Sequence, residues 1–448
     1  MRMNTCLAVL GFATMIIVTI VLLKKWVSTL LAFTTIPLIA GIIALVISGG
    51  NPLSIEGVSS IGAWIKTGIG MTSDITLMML FSLPYFMLMA DTGLFDDIVK
   101  AIMKRVPISA PVVCVLTVVV ACIIELDGSI TSVFLITVPL MLPLYERFKV
   151  DKRVLPFAIA IAILFMCNTP WNPKILRAAT LIPDVANAST AIFLKLVPIQ
   201  IFMFVLLVGI TAFIGIRARK HQLEEIAISH EDLLDQFQDT ELTRHNLFWV
   251  NLLLTALMIF CLIAFQSVPQ YYVFALGLVI ALAINFRDLG QQSKLLKKYA
   301  AELFPVAPAV LLSGVVVGVM QESGMLDAMV NAMMGVVPPA LGPWLYIIVA
   351  LFSTPLMLLF TNDTWFYALM PLVSAFSIQY GVPAETVIVT LFMNFGSMIS
   401  VIAQPQLYIA TDLTGITIDQ HIRFTFFKLW AINIAVVIFG VVTGIFMP

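Results

Sequence analysis

Two carboxylates, Glu125 and Asp127, stand in "ELDGSITS" (125–132), and a third, Asp363, in "FTNDTW" (360–365), each within otherwise apolar sequence. Such placement is costly unless the group is used. A carboxylate there can carry a coupling proton or coordinate a hard divalent cation. Neutral hydrogen-bonding groups flank both stretches: Gly128, Ser129 and Thr131 in the first, Thr361, Asn362 and Thr364 in the second. Two further polar interruptions complete the set. "CNTPWNPKILR" (167–177) supplies Asn168, Thr169, Asn172, Lys174 and Arg177, and "FGSMISVIAQPQLY" (395–408) supplies Gln404 and Gln406. Lys174 and Arg177, one helical turn apart, can clamp a substrate carboxylate. They can equally anchor the outer membrane face or form a structural ion pair. Each aspartate can instead cap a short helix, and Glu125 also reads as the buried partner of a basic residue.

These groups need a scaffold, and composition says which kind. The chain has 448 residues, of which 61% are hydrophobic and 11% charged, with a mean hydropathy of +1.06. Apolar runs at 5–23, 28–48, 75–90, 154–167, 191–215, 247–266, 271–286, 305–320 and 427–447 qualify, or nearly qualify, as bilayer spans. Without strand alternation, a backbone in hydrocarbon satisfies its hydrogen bonds as helix. The expectation is an all-α polytopic protein of the cytoplasmic membrane. The first run has no small-residue cleavage site and another span follows, so it reads as a retained helix. The five cysteines show no paired spacing and the four histidines lie in connectors or at a helix end, so neither a disulfide framework nor a resident metal is expected. With no Ser-His or HExxH arrangement inside a span, an enzyme is not expected. No Walker A loop points to ATP, no cofactor is called for, and a net charge of −1 gives no reason to expect nucleic acid.

Cations mark cytoplasmic loops. They cluster at Lys24–Lys25, at Lys100–Arg105 and Arg147–Arg153, at Arg217–Arg244, at Arg287–Lys298, and at Arg423 with Lys428. All clusters fall on one side only if the stretch 108–145 enters and leaves from the cytoplasm and 343–380 does so from the outside. Both are therefore expected to be re-entrant hairpins, with the two acidic motifs at their tips. About 35 residues is short for two full spans of about 20 each. The proline-bearing interruptions predict broken helices at 154–185 and 383–415. Freed backbone groups and helix ends at such breaks can hold ions, and helix N-termini favour an anionic group.

The chain also repeats. "GLFDDIVKAIMKRVP" (93–107) aligns without gaps on "GMLDAMVNAMMGVVP" (324–338), seven of fifteen positions being identical. With one residue of slippage, Pro139 meets Pro371 and Asn172-Pro173 meets Gln404-Pro405. Seven cations of the first copy have no cation opposite, so the copies are expected to face opposite sides of the membrane. That is the inverted-repeat pattern of secondary transporters, with binding near the midplane. The expected organisation is a first half at 1–216, a cytoplasmic linker at 217–245 and a second half at 246–448. In it, Asp127 and Asp363, one from each copy, can approach each other.

At these residues the chain resembles the CitMHS family, the bacterial citrate–divalent metal:proton symporters, within the ion transporter superfamily. The likeness is carried by "YFMLMADTGLFD", "ELDGSITSVFLITVPLMLPLYERF", "GMLDAM", "LFTNDTWFYALMPL" and "HIRFTFFKLWA". Pro170-Trp171, Arg177 and Asn362-Asp363 match family positions in the first break and second hairpin. The sequence departs from the family at Ser129-Ile130-Thr131-Ser132, at Asn172-Pro173-Lys174 and at Gln406-Leu407, which points to altered metal or charge handling. The resemblance implies a symporter of citrate or a related small carboxylate, coupled to protons or a cation, with Mg or Ca carried as part of the substrate. It also implies a homodimer in the lipid bilayer and elevator-like movement of the hairpin-bearing domain. The alternative is a cation/proton antiporter or an anion exporter of the same superfamily.

Overall fold

The computed structural model describes residues 2–24, 26–106, 109–219, 239–265, 267–401 and 403–448. Residues 220–238, most of the expected linker, lie outside the described residues, as do Lys25 and Pro107. Among the described residues the chain is helical, with no strand. The first half comprises α1 (Arg2–Leu23), α2 (Thr29–Ile47), α3 (Ile55–Asp91), α4 (Leu94–Met103), α5 (Ala110–Ile124), α6 (Ile130–Arg147), α7 (Val154–Met166), α8 (Pro173–Ala179) and α9 (Ala188–Arg219). The second continues with α10 (Phe248–Ala264), α11 (Gln270–Asn285), α12 (Leu289–Leu303), α13 (Ala307–Glu322), α14 (Met325–Val336), α15 (Leu345–Leu351), α16 (Ser353–Leu356), α17 (Asn362–Thr364), α18 (Met370–Ile378), α19 (Ala384–Phe392), α20 (Leu407–Thr414) and α21 (Ile418–Val442). Eight of the described helices are long and apolar enough to cross a bilayer, and α12–α13, bent by 40°, makes a ninth when taken as one span. Pro305 lies at that bend; a residue without an N–H cannot continue a helix.

The aligned glycines explain why the repeated motif folds the same way twice. Gly93 (φ +81°) precedes α4 and Gly324 (φ +77°) precedes α14, both in the left-handed region that glycine enters without penalty. Each ends a long helix and starts a short one. Helix α3 then packs against α13 with glycines at the points of closest approach. A Cβ on Gly68 would lie 1.9 Å from the Gly314 carbonyl oxygen, and one on Gly318 would lie 2.4 Å from that of Trp64. The Thr72 hydroxyl donates to the Leu311 carbonyl at 2.9 Å. Small residues that let backbones meet, with a hydroxyl bond across them, are how helices associate where lipid supplies no hydrophobic drive.

The stretch 108–145, expected as a re-entrant hairpin, contains α5 and α6. The segments Ala110–Asp127 and Ile130–Arg147 are each long enough to span, more than the length argument allowed. The stretch 343–380, expected as the second hairpin, contains α15 to α18, with a π-helical turn at Trp365–Leu369. The predicted breaks separate α7 from α8 and α19 from α20.

Just before α10, the His245 ring is held between two carboxylates. Nδ1 is 2.9 Å from Asp97 Oδ2, and Nε2 is 2.9 Å from Asp239 Oδ1, with Lys100 also beside Asp239 at 3.8 Å. Only imidazolium donates from both nitrogens, so the bonds to Asp97 and Asp239 raise the His245 pKa above its ordinary 6.5. The same bond to His245 lowers that of Asp239, while burial raises that of the neighbouring Asp96. A raised folded-state value means that the stabilisation is fully present below about pH 6.5 and fades as pH rises through the folded value. Melting wild type and His245→Gln in detergent from pH 5.5 to 9 is expected to show a deficit in the variant at low pH that closes at high pH; a constant gap would refute the clasp.

Candidate functional site

The first hairpin tip is built by a 3-10 turn, Glu125–Asp127, that ends on Gly128 at φ +73°. The Ser129 hydroxyl then caps α6, accepting from the Ser132 N–H at 3.3 Å. A side chain at Gly128 would meet Leu83 and Pro173 at 3.1 and 3.2 Å, so the tip sits directly on the first break. Two side chains of that break fasten it. Trp171, stacked on Phe86 with ring centroids 4.8 Å apart, donates its indole N–H to the Leu126 carbonyl at 3.1 Å. Asn172 donates from Nδ2 to Oε1 of Glu125 at 3.2 Å, while its own Oδ1 accepts from the Lys174 N–H and caps α8. Glu125 is 0% exposed and has no basic partner among its described contacts.

The second tip is docked on the second break. Thr361 and Thr364 cap each other reciprocally at the start of α17. Asn362 Nδ2 donates to the Ala403 carbonyl at 3.1 Å, and the Trp365 indole donates to the Leu391 carbonyl at 3.2 Å. Residues 391–400, which carry the irregular backbone of this break, are all buried, as unwound chain at membrane depth must be. Hydroxyls therefore do the capping at both tips. Asp127 accepts the Ser129 N–H at 2.7 Å and a bond from the Ser132 side chain, and Asp363 is left for other work.

That work lies across the halves. The Nε of Arg177 on α8 is 3.4 Å from Oδ1 of Asp363, with the side chains 19% and 23% exposed. Lys174 Nζ donates to the Asn394 carbonyl at 3.2 Å and lies 4.7 Å from the centre of the Phe392 ring, a favourable seat for a cation. The first break thus sends both its cations into the second half. Asp127, by contrast, lines a separate cavity of about 220 Å³ with Asp91, Asp96, Lys298, Tyr299 and Glu302. Lys298 and Tyr299 both donate to Asp91 there at 2.8 Å. The structure therefore gives the two aspartates different surroundings, and Asp363 meets Arg177 where the sequence suggested Asp127.

The remaining candidates divide. Asn168 donates from Nδ2 to the Leu164 and Phe165 carbonyls and Thr169 donates to that of Met166, so these donors are spent on the end of α7. Thr131 and Gln404 are half-buried. Among the described residues, ten buried side-chain polar atoms have no hydrogen-bond partner, and four belong to the predicted set: Glu125 Oε2, Asn168 Oδ1, Arg177 Nε and Gln406 Oε1. Buried polar atoms are normally satisfied, so these four stand out within the predicted set. No group of three His, Cys, Asp or Glu able to hold a metal occurs among the described residues. Asn394, Phe392 and Tyr367, which the sequence reading passed over, belong to the site's wall. Asn394 immediately precedes the "FGSM" break, and its adjacency was the available signal.

Comparison with known proteins places the chain among transporters. A family model described as citrate transporter matches residues 4–375. A citrate transporter of Bacillus subtilis (strain 168) is 27% identical over 431 residues, covering 96% of this chain and 97% of its own length. The Mg(2+)/citrate complex secondary transporter of the same strain is 27% identical over 437 residues, covering 96% of each. In fold, the chain is similar to the crystal structure of the Alcanivorax borkumensis YdaH transporter, with a TM-score of 0.66 at 13% identity, covering 94% of this chain and 99% of that one. It is a multi-pass membrane protein and a transporter rather than an enzyme. By a match over most of its length, the chain belongs to the citrate transporter family.

Proposed function

We propose that this protein is a secondary active transporter of citrate or a closely related small carboxylate, free or as a complex with Mg or Ca, coupled to protons or another cation. The observation that carries the reading is the placement of Lys174 and Arg177. Both leave the first break, reach elements of the second half, and present an ammonium without a described carboxylate partner and a guanidinium Nε without a hydrogen bond. Such a pair recognises a carboxylate by charge and by the planar fork of arginine. The names of the two Bacillus relatives support citrate, and the second supports a metal–citrate complex. The order of elements, running twice from long helices through a glycine turn to a hairpin and a broken helix, supports two inverted halves. On this reading the hairpin-bearing parts move against the rest, in a homodimer.

The test is uptake into proteoliposomes of labelled di- and tricarboxylates, with and without Mg or Ca, under imposed pH or sodium gradients. Citrate or a near relative is expected to accumulate above its equilibrium level under one gradient. Failure of every carboxylate to accumulate would overturn the reading.

A further inference from the structure

The contact between Arg177 and Asp363 joins the two halves, yet it is loose. Its separation of 3.4 Å is an ion pair rather than a hydrogen bond, and Arg177 Nε is buried with its proton unclaimed. Both side chains keep about a fifth of their surface exposed, so each is reachable. Thr361 caps α17, which frees Asp363 of a structural duty. The charged and titratable groups facing the pair are few. Tyr367 lies within electrostatic reach of both members, and Cys167 and Lys174 lie beside Arg177 in the first break. A small cavity beside Asp363 is walled by the same Tyr367 and by uncharged Thr14, Met15, Val18, Phe33 and Val316.

We propose that Asp363 is a built-in stand-in for the substrate carboxylate, and that its displacement from Arg177 is the step that couples substrate to cation. The inference rests on the transport reading above. A substrate carboxylate can engage the arginine fork through two oxygens and add a contact to Lys174, so it outcompetes a single oxygen at 3.4 Å. Asp363 is then a carboxylate in a poorly solvated wall with its counter-charge gone. Leaving it bare is costly, so it takes up one positive charge: a proton, or the metal that the substrate carries. Substrate and cation then strengthen each other's binding by the same factor, as linkage demands.

The experiment is titration of the purified full-length protein with labelled citrate from pH 6 to pH 8, with and without Mg, for wild type, Asp363→Asn and Asp363→Glu. Citrate's own protonation is common to all three and cancels in the comparison. Wild type is expected to bind more weakly as the coupling cation is withdrawn, by up to about tenfold per pH unit if that cation is one proton. Asp363→Asn is expected to bind at least as tightly as wild type, to lose the extra dependence on pH or Mg, and to exchange citrate without accumulating it. Asp363→Glu is expected to restore the dependence, which shows that a folded site is being read. A dependence on Mg alone assigns the metal, and on pH alone the proton. Tenfold weaker binding in Asp363→Asn, or unchanged cation dependence with normal accumulation, would overturn the switch. If wild type binds no carboxylate, the transport reading itself falls.

Discussion

Arg177→Gln is expected to abolish high-affinity carboxylate binding. Removing one member of a desolvated charge pair costs about 2–5 kcal/mol, which is roughly 30-fold to a few thousand-fold in Kd. The effect is large because Arg177 is the one described cation of the site that already holds a carboxylate, that of Asp363 at 3.4 Å. The substitution also strands that carboxylate, so part of the loss reflects Asp363 rather than substrate. Arg177→Gln combined with Asp363→Asn separates the two: folding recovers and binding does not. Arg177→Lys keeps the charge but not the planar fork, and is expected to fall between. Titration of each purified variant with labelled citrate decides the matter; a double variant that binds like wild type would remove Arg177 from recognition.

Asn172→Ala is expected to give the largest loss of stability among single substitutions at the site. Asn172 does two things at once, capping α8 through the Lys174 N–H at 2.9 Å and donating to buried Glu125 at 3.2 Å. Loss of an N-cap costs about 1 kcal/mol, and a buried acceptor stripped of its donor costs about 1–3 kcal/mol. The second Glu125 oxygen has no partner to make good the loss. Melting in detergent is expected to show a marked drop for Asn172→Ala, partly reversed by adding Glu125→Gln, which removes the charge. Equal melting of the single and double variants would mean that Glu125 is not what Asn172 holds.

Polar residues have few reasons to interrupt apolar sequence, which is why the four polar stretches drew attention in the sequence. The stretch 108–145, read as a hairpin, contains α5 and α6, and the stretch 383–415, read as a broken helix, contains α19 and α20. The pairing of Arg177 with Asp363 was not legible, because partners so far apart in sequence are chosen by the packing of one half on the other. Asn394 was signalled only by its place beside the "FGSM" break, because its backbone carbonyl, not its side chain, receives Lys174. The capping roles of Ser129 and Thr361 were within reach, since hydroxyl residues are as common at that position as aspartate. Depth in the bilayer is a separate matter, because an 18-residue arm has the length of a full crossing whichever way it lies.

Where α3 crosses α13, Gly68 and Gly314 leave no room even for a methyl group. Main chain rests on main chain there, so neither rod can roll or slip by a residue without one peptide plane striking another. On the proposed transport reading, a stroke that carries cargo from one side to the other would treat this crossing as a fixed axle. Displacement then falls to parts held by side chains alone, and the Arg177–Asp363 contact, exchangeable and spanning the two halves, is of that kind.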